Sequence, residues 1–308
     1  MGANHVRLAS GLRDAELAYV VDPDRARADA LASTFGIKAA PQLDDVLDDI
    51  DAAIVAAPSE LHSELGLQLI AAGKHVMIEK PLATSVDDAQ RLVDAAATQG
   101  VTLMAGHVER FNPAVLELDN VVRPADVVHV STARISPYSP RIAVGVVLDL
   151  LIHDLDLVRS IVRSPVRDVQ AVTRCVRSAS EDLASALLTF ENGVTADLST
   201  SRVGQQKIRT IGITQDDSYV NVDLLRQDVT INRVDHSEYV SAEGSRYRQT
   251  GMVEIPFLEV RGEPLWLEQV EFVRALTTGE RPRVPGEDGV EALRLAQRVL
   301  EAAGSRPG

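Results

Sequence analysis

Cysteine is almost absent. Cys175 is the only one among 308 residues, which excludes an internal disulfide framework and any cysteine-built metal cage and points to a reducing cytoplasm. Its place in the apolar run Val172 to Val176 predicts a small buried group. Aromatic residues make up only 4% of the chain, so the cores must be built from aliphatic side chains. Positive charge is in deficit, with 31 Lys and Arg against 45 Asp and Glu for a net charge of -14. Nucleic acid and anionic membranes both require a basic face, so neither is expected as a partner. Apolar runs such as Ala52 to Ala57 fall far short of the ~20 residues of a spanning helix. The opening Met1-Gly2-Ala3-Asn4-His5 has no secretory apolar region, and Val6 stands where a myristoylation signal needs Ser or Thr. No Ser hydrolase elbow, G-x-x-x-x-G-K-[ST] loop or H-E-x-x-H helix is found.

What remains suits a soluble globular protein: 308 residues are enough for two domains, and 45% of them are hydrophobic, enough for packed cores. From Glu16 to Gly106, short apolar strands alternate with helical segments, which predicts parallel β/α/β units in a doubly wound, Rossmann-like sheet. The strands are Leu17 to Val21, Ala52 to Ala57, Val76 to Ile78 and Val101 to Ala105, and the helices include Arg25 to Phe35 and Val86 to Gln99. After Pro124 the pattern becomes alternating strands rich in Val, Thr and Ile, interrupted by one helix from Leu148 to Val162. This predicts an α+β domain with an open, mostly antiparallel sheet. The expected division is residues 1–122 and 123–308, with the closing helices Leu265 to Leu276 and Val290 to Ala303 free to pack back on the first domain. The tail after Gly304 is expected to fray. An open sheet with one uncovered face also predicts a homo-oligomer, a dimer or tetramer.

Two strings carry the chemistry. His75-Val76-Met77-Ile78-Glu79-Lys80-Pro81 ends an apolar strand on a lysine, with a proline to stop the ladder. Asp149-Leu150-Leu151-Ile152-His153 puts a carboxylate and an imidazole four residues apart on one helix face. A lysine and a histidine converging on one cleft are the parts needed to take a proton from a hydroxyl while a hydride leaves the same carbon. An ordinary helix-surface pair and a solvated strand-end lysine are the bland alternatives. Asp22 at the end of a strand fits the carboxylate that accepts both ribose hydroxyls of an adenosine, which favours NAD, while Arg25 nearby keeps NADP open. A strand-end turn through Asp22-Pro23-Asp24 is the alternative there.

Taken in this order, the strings resemble the Gfo/Idh/MocA family of nicotinamide-dependent oxidoreductases, over nearly the whole chain. Ala57-Pro58-Ser59-Glu60-Leu61-His62 resembles that family's T-P-x-x-x-H element, Glu79-Lys80-Pro81 its E-K-P, and Asp149 to His153 its D-x-x-x-H. The resemblance implies that Pro58 and His62 wall the cofactor site and that Glu79 lies near the nicotinamide ribose. It further implies that Lys80 hydrogen-bonds the reacting oxygen, that His153 is the general base, and that Asp149 orients it. Asp154 and Asp156 are expected to be structural or solvent-facing. Gly106-His107-Val108-Glu109-Arg110-Phe111-Asn112-Pro113 is similar to a stretch of the family's sugar-nucleotide members, including those that act on UDP-N-acetylglucosamine at C3. His107, Arg110 and Asn112, with Arg134, would then line the substrate cleft, with Arg110, Arg134 and Arg141 as candidates to meet a diphosphate, unless the Arg and Asn merely satisfy buried carbonyls in a turn. An inositol or polyol dehydrogenase is the neighbouring expectation.

The resemblance also identifies a departure. The fingerprint G-x-G-x-x-G normally follows a first strand, about 20 residues before the acidic residue. Gly2 matches its last glycine, but the first strand and two glycines are not in this sequence. The expectation is that codons upstream of Met1 encode them; a relative that has given up its cofactor is the alternative.

Overall fold

The structure, a computed structural model, describes residues 1–139, 144–241 and 244–304, with side chains described outside 235–250. Arg141 and the tail after Gly304 lie outside the described residues. The chain forms two compact units, Met1–Phe111 with Gly262–Arg294, and Asn112–Arg261 with Leu295–Gly308. The first unit therefore ends before residue 122 and recovers a later segment. No helix among the described residues is long and apolar enough to cross a membrane.

In the first unit, helix α1 (Gly2–Ala9) leads to a parallel pair, β1 (Tyr19–Val21) and β2 (Lys38–Ala40), joined by α2 (Arg25–Phe35). The Asp24 side chain caps α2 by accepting from Arg27 N–H, and Gly36, at φ 69°, closes it in the left-handed conformation. A second parallel set has the order β3 (Ala52–Val55), β4 (His75–Glu79) and β5 (Leu103–Gly106). It is joined by α3 (His62–Ala71) and α4 (Val86–Gln99), which pack on each other. The Rossmann-like pattern thus appears as two separate parallel sets. Central β4 is buried through Val76, Met77 and Ile78, as expected for a strand covered on both faces. At its end Gly106 is required: a Cβ there would lie 2.9 Å from Glu79 Cα, so only glycine lets β5 run this close to the end of β4.

The second unit opens with two one-turn helices, α5 (Pro113–Leu116) and α6 (Leu118–Val121). Its strands are β6 (Val127–Ile135), β7 (Val166–Arg174), β8 (Leu183–Phe190), β9 (Thr195–Ser201), β10 (Ile208–Gln215), β11 (Tyr219–Asp223), β12 (Asp228–Ser241) and β13 (Gly244–Glu254). They form one eight-stranded sheet in the order β13-β12-β11-β10-β6-β9-β8-β7. Every pairing is antiparallel except β6 with β9. Helix α7 (Ile152–Val162), preceded by a π-helical turn at Val147–Leu151, packs on β6 and β9. Later in the chain, α8 (Pro264–Thr278) packs on α1 in the first unit, and α9 (Gly286–Gly304) crosses the division between the units.

One reading is corrected: Cys175 is exposed, because β7 ends at Arg174 and the cysteine begins the loop beyond it. Of the two alternatives for Asp154 and Asp156, both residues are buried, and Asp154 pairs with Arg134.

The loop after β7 is organised by Asp182, which is fully buried. Its carboxylate accepts the N–H groups of Val176, Arg177 and Ser178 at 2.7, 2.6 and 3.0 Å, the Ser178 hydroxyl at 2.8 Å and Arg202 Nε at 2.7 Å. Burial by itself would raise the Asp182 pKa, but these donors outweigh it and hold the carboxyl far below the usual carboxylate range. A depressed folded pKa stabilises the fold above the unfolded value of about 3.9, and that contribution is lost as pH falls toward the folded value. Asp182→Asn is therefore expected to lower the melting temperature by ~5 °C or more at pH 7. The gap to wild type should narrow at pH 3; thermal melts that show an equal gap at both pH values would contradict this account.

Candidate active site

The carboxyl ends of β1, β3 and β4 bear Asp22, Pro58 and Lys80, the edge at which parallel α/β sheets bind ligands. Lys80 is half-buried directly after β4 and is followed by a cis peptide bond to Pro81. Its backbone is held from both sides. Lys80 N–H donates to Glu79 Oε2 at 3.2 Å, and the Pro81 carbonyl stands 2.8 Å from Nδ1 of His62. Nε2 of the same ring is 2.9 Å from the Ala57 carbonyl.

Glu79 is buried, and its other oxygen is 2.8 Å from Nε2 of His5 on α1. The tautomer of His5 follows from its second neighbour. Gln269 Nε2 lies 3.2 Å from the His5 carbonyl and 2.9 Å from His5 Nδ1, so this nitrogen of the glutamine must be the amide donor. Nδ1 then accepts, and Nε2 carries the proton that it donates to Glu79. Beside this pair Glu268 on α8 is completely buried, and neither carboxyl oxygen has a hydrogen-bond partner among the described residues. Burial, reinforced by the Glu79 charge, pushes the Glu268 pKa well above its ordinary value. His5, Glu268 and Gln269 were not singled out from the sequence. His5 closes the quoted Gly2 element, whereas nothing in a helix pattern marks Glu268 as facing inward toward another acid.

Asp22 accepts Asp24 N–H at 2.9 Å on one oxygen and is 3.5 Å from Arg27 on the other. Its side chain remains 25% exposed, so the carboxylate both forms the strand-end turn and retains accepting capacity for ribose hydroxyls. These donors and acceptors fit an adenosine ribose at this edge. Arg25 is directed to Asp29, 3.6 Å away. Gly2 is the first residue of α1.

In the stretch from Gly106 to Pro113, His107 is buried and Arg110 pairs with Asp288 at 2.7 Å. Asn112 is consumed structurally: Oδ1 caps α5 by accepting Ala114 N–H at 3.1 Å, and Nδ2 donates to the Leu224 carbonyl at 2.9 Å. Arg134 departs from the expected diphosphate role in the same way. It is 1% exposed, with Nε and Nη2 donating to Asp154 Oδ1 at 2.9 and 2.7 Å. It shares the inward face of β6 with Val130 and Thr132, a period-two signal that the sequence already contained.

In the second unit, Asp149 sits in the π-helical turn, its N–H donating to the Gly145 carbonyl at 3.0 Å, and His153 sits in the first turn of α7. Both are partly exposed, while Nδ1 of His153 is buried. A π turn widens the helix locally and is frequent at functional sites. Among the described residues no cluster of His, Cys, Asp and Glu suits a metal ion.

Residues 1–107 match the family described as "Oxidoreductase family, NAD-binding Rossmann fold", and residues 122–216 match the "GFO/IDH/MocA C-terminal domain". A UDP-N-acetylglucosamine 3-dehydrogenase of Acidithiobacillus ferrooxidans is 32% identical over 217 residues, covering 70% of this chain and 69% of the relative. A structure of that enzyme superposes with a TM-score of 0.87 over 97% of this chain and 93% of its own, at 27% identity. A myo-inositol 2-dehydrogenase of Thermotoga maritima is 27% identical over 98% of this chain and 93% of its own length. Levoglucosan dehydrogenase in complex with NADH and levoglucosan shares the fold, with a TM-score of 0.81 and 18% identity over 98% of this chain and 94% of its own.

The raised pKa of Glu268 has a defined sign. A carboxyl that binds its proton more tightly when folded stabilises the protein in acid, and the advantage is lost as pH rises from about 4.5 toward the folded value. Glu268→Gln, which needs no proton, is expected to show a higher melting temperature than wild type at pH 8 by ~3 °C or more. The difference should shrink toward pH 4.5. A variant that melts in parallel with wild type across this range would show that Glu268 does not hold a proton at neutral pH.

Proposed function

The chain belongs to the Gfo/Idh/MocA family of oxidoreductases, and on that premise we propose that it oxidises a ring secondary alcohol of a sugar nucleotide to a ketone with NAD. The broader statement stands on the relatives themselves: this is an NAD-binding dehydrogenase of a family that acts on CH–OH groups of sugars and polyols. The observation that carries the proposal is the similarity to UDP-N-acetylglucosamine 3-dehydrogenase, in sequence over two thirds of each chain and in fold over nearly all of both.

In this reading the bound nicotinamide supplies the hydride acceptor, and the chain's own residues do the rest. Asp22 accepts the ribose hydroxyls, and its charge disfavours a 2′-phosphate, which selects NAD over NADP unless Arg25 turns inward. The Lys80 ammonium donates a hydrogen bond to the substrate's reacting oxygen and stabilises the alkoxide character that develops there. His153 removes the hydroxyl proton as general base. Asp149 orients the imidazole or a neighbouring hydroxyl. Arg134 and Asn112 belong to the scaffold, because their polar atoms are committed to Asp154, the α5 cap and Leu224. An inositol dehydrogenase is the second reading, favoured by a relative that aligns over 98% of the chain.

The readings separate on turnover. Appearance of NADH absorbance with UDP-N-acetylglucosamine, at a kcat/KM above that for myo-inositol, is expected; the reverse order selects the polyol reading. Lys80→Ala and His153→Ala should each lower kcat by ~100-fold or more, the usual scale of acid-base assistance, with NADH affinity retained. Asp149→Asn should cost less. A His153→Ala enzyme with wild-type turnover and pH profile would refute the assignment.

A further inference from the structure

His62 occupies a position that its place in the motif does not explain. Its ring is 1% exposed, with one nitrogen 2.9 Å from the Ala57 carbonyl and the other 2.8 Å from the Pro81 carbonyl. Ala57 lies two residues beyond the end of β3 and Pro81 two residues beyond the end of β4. Val55 pairs with Ile78, so the register carried on puts Lys80 opposite Ala57, and the ladder N–H due to the Ala57 carbonyl is that of Pro81, which has none. Both carbonyls stand past the last rung against the buried ring of His62, and buried carbonyls are costly without donors. The imidazole stands between them. A neutral ring donates to one and a protonated ring to both.

The consequence reaches Lys80, which lies between the Glu79 carboxylate that accepts its N–H and the Pro81 carbonyl that faces His62. We propose that His62 is a positioning residue for Lys80: its imidazole replaces the ladder donor that Pro81 removes and, bridging the Ala57 and Pro81 carbonyls, locks the Lys80–Pro81 segment to the end of β3. This role differs from that of a cofactor wall, and it rests on the reading that Lys80 meets the substrate's reacting oxygen. Small misplacements of a catalytic group cost large factors in rate, so the effect belongs in kcat rather than in cofactor affinity.

The experiment is a set of variants in the whole enzyme, assayed with NAD and UDP-N-acetylglucosamine, with NADH affinity measured by fluorescence. His62→Leu fills the space without donors and is expected to lower kcat by ~10-fold or more while the NADH Kd moves by less than ~3-fold. His62→Gln, whose amide carries two N–H groups, should return kcat to within ~3-fold of wild type. In a Lys80→Ala background, His62→Leu should add less than ~2-fold, because a residue that acts only through Lys80 is not additive with its loss. If His62→Leu does not fold, His62→Met supplies the same test with a more adaptable side chain. Full turnover in the donor-free variant, a glutamine variant no better than leucine, multiplying losses in the double variant, or a rise in NADH Kd with kcat intact would each overturn the proposal. The Lys80 reading is judged separately: Lys80→Ala at wild-type turnover refutes that reading, whereas a slow Lys80→Ala beside a fast His62→Leu refutes this inference alone.

Discussion

Glu79 carries a carboxylate to the buried end of β4, and much of the first unit is arranged around keeping that group satisfied. A buried carboxylate without partners is expensive, costing more than the ~1–3 kcal/mol of an unsatisfied neutral group. Three elements distant in sequence converge on it. Helix α1 brings His5, the strand itself turns the Lys80 N–H onto the second oxygen, and α8 brings Gln269, which sets the His5 tautomer, together with Glu268. Gly106 lets β5 run close beside the end of β4 at Glu79. The lysine next in the chain therefore emerges from an over-determined backbone, which is what a group with a positional task requires.

The second unit solves a similar problem with ion pairs. Arg134 and Asp154 tie β6 to the helix that follows the π turn, and Arg202 with Asp182 ties β9 and the loop after β7 to the segment leading into that turn. Both pairs are almost fully buried, so their worth lies less in net stability than in fixing which face of the helix carries Asp149 and His153. The chain shares this combination of a parallel nucleotide-binding unit and a large, mostly antiparallel sheet with enzymes of several sugar and polyol specificities. A shared scaffold can serve different substrates because function is set by the side chains of the site rather than by the fold.

The strength of reading from sequence followed the strength of the physical signal. Helix α4 was legible to the residue, because Ser85 caps it and Gly100 closes it, and both signals are local. The three-residue β2 and the polar β13 were not, since a short or polar strand acquires its identity from the neighbour it pairs with. The same holds for the site. Lys80, Asp149 and His153 stand out because their spacing and their neighbours in sequence are themselves the signal. Arg134 and Asn112 carry chemical types suited to a ligand, and only the folded chain shows their polar atoms spent on Asp154, Ala114 and Leu224.

By itself, then, the sequence determined the periodicities, the strand-ending prolines, the acidic balance and the residue types available for proton transfer, all of which are properties of neighbours along the chain. The tertiary structure decided which of those groups meet. It joined His5 to Glu79 across 74 positions and Gln269 to His5 across 264, and it set His62 between the Ala57 and Pro81 carbonyls at the ends of two strands. Hydrogen bonds and burial depend on distance in space, and no pattern along a chain encodes a distance between residues so far apart.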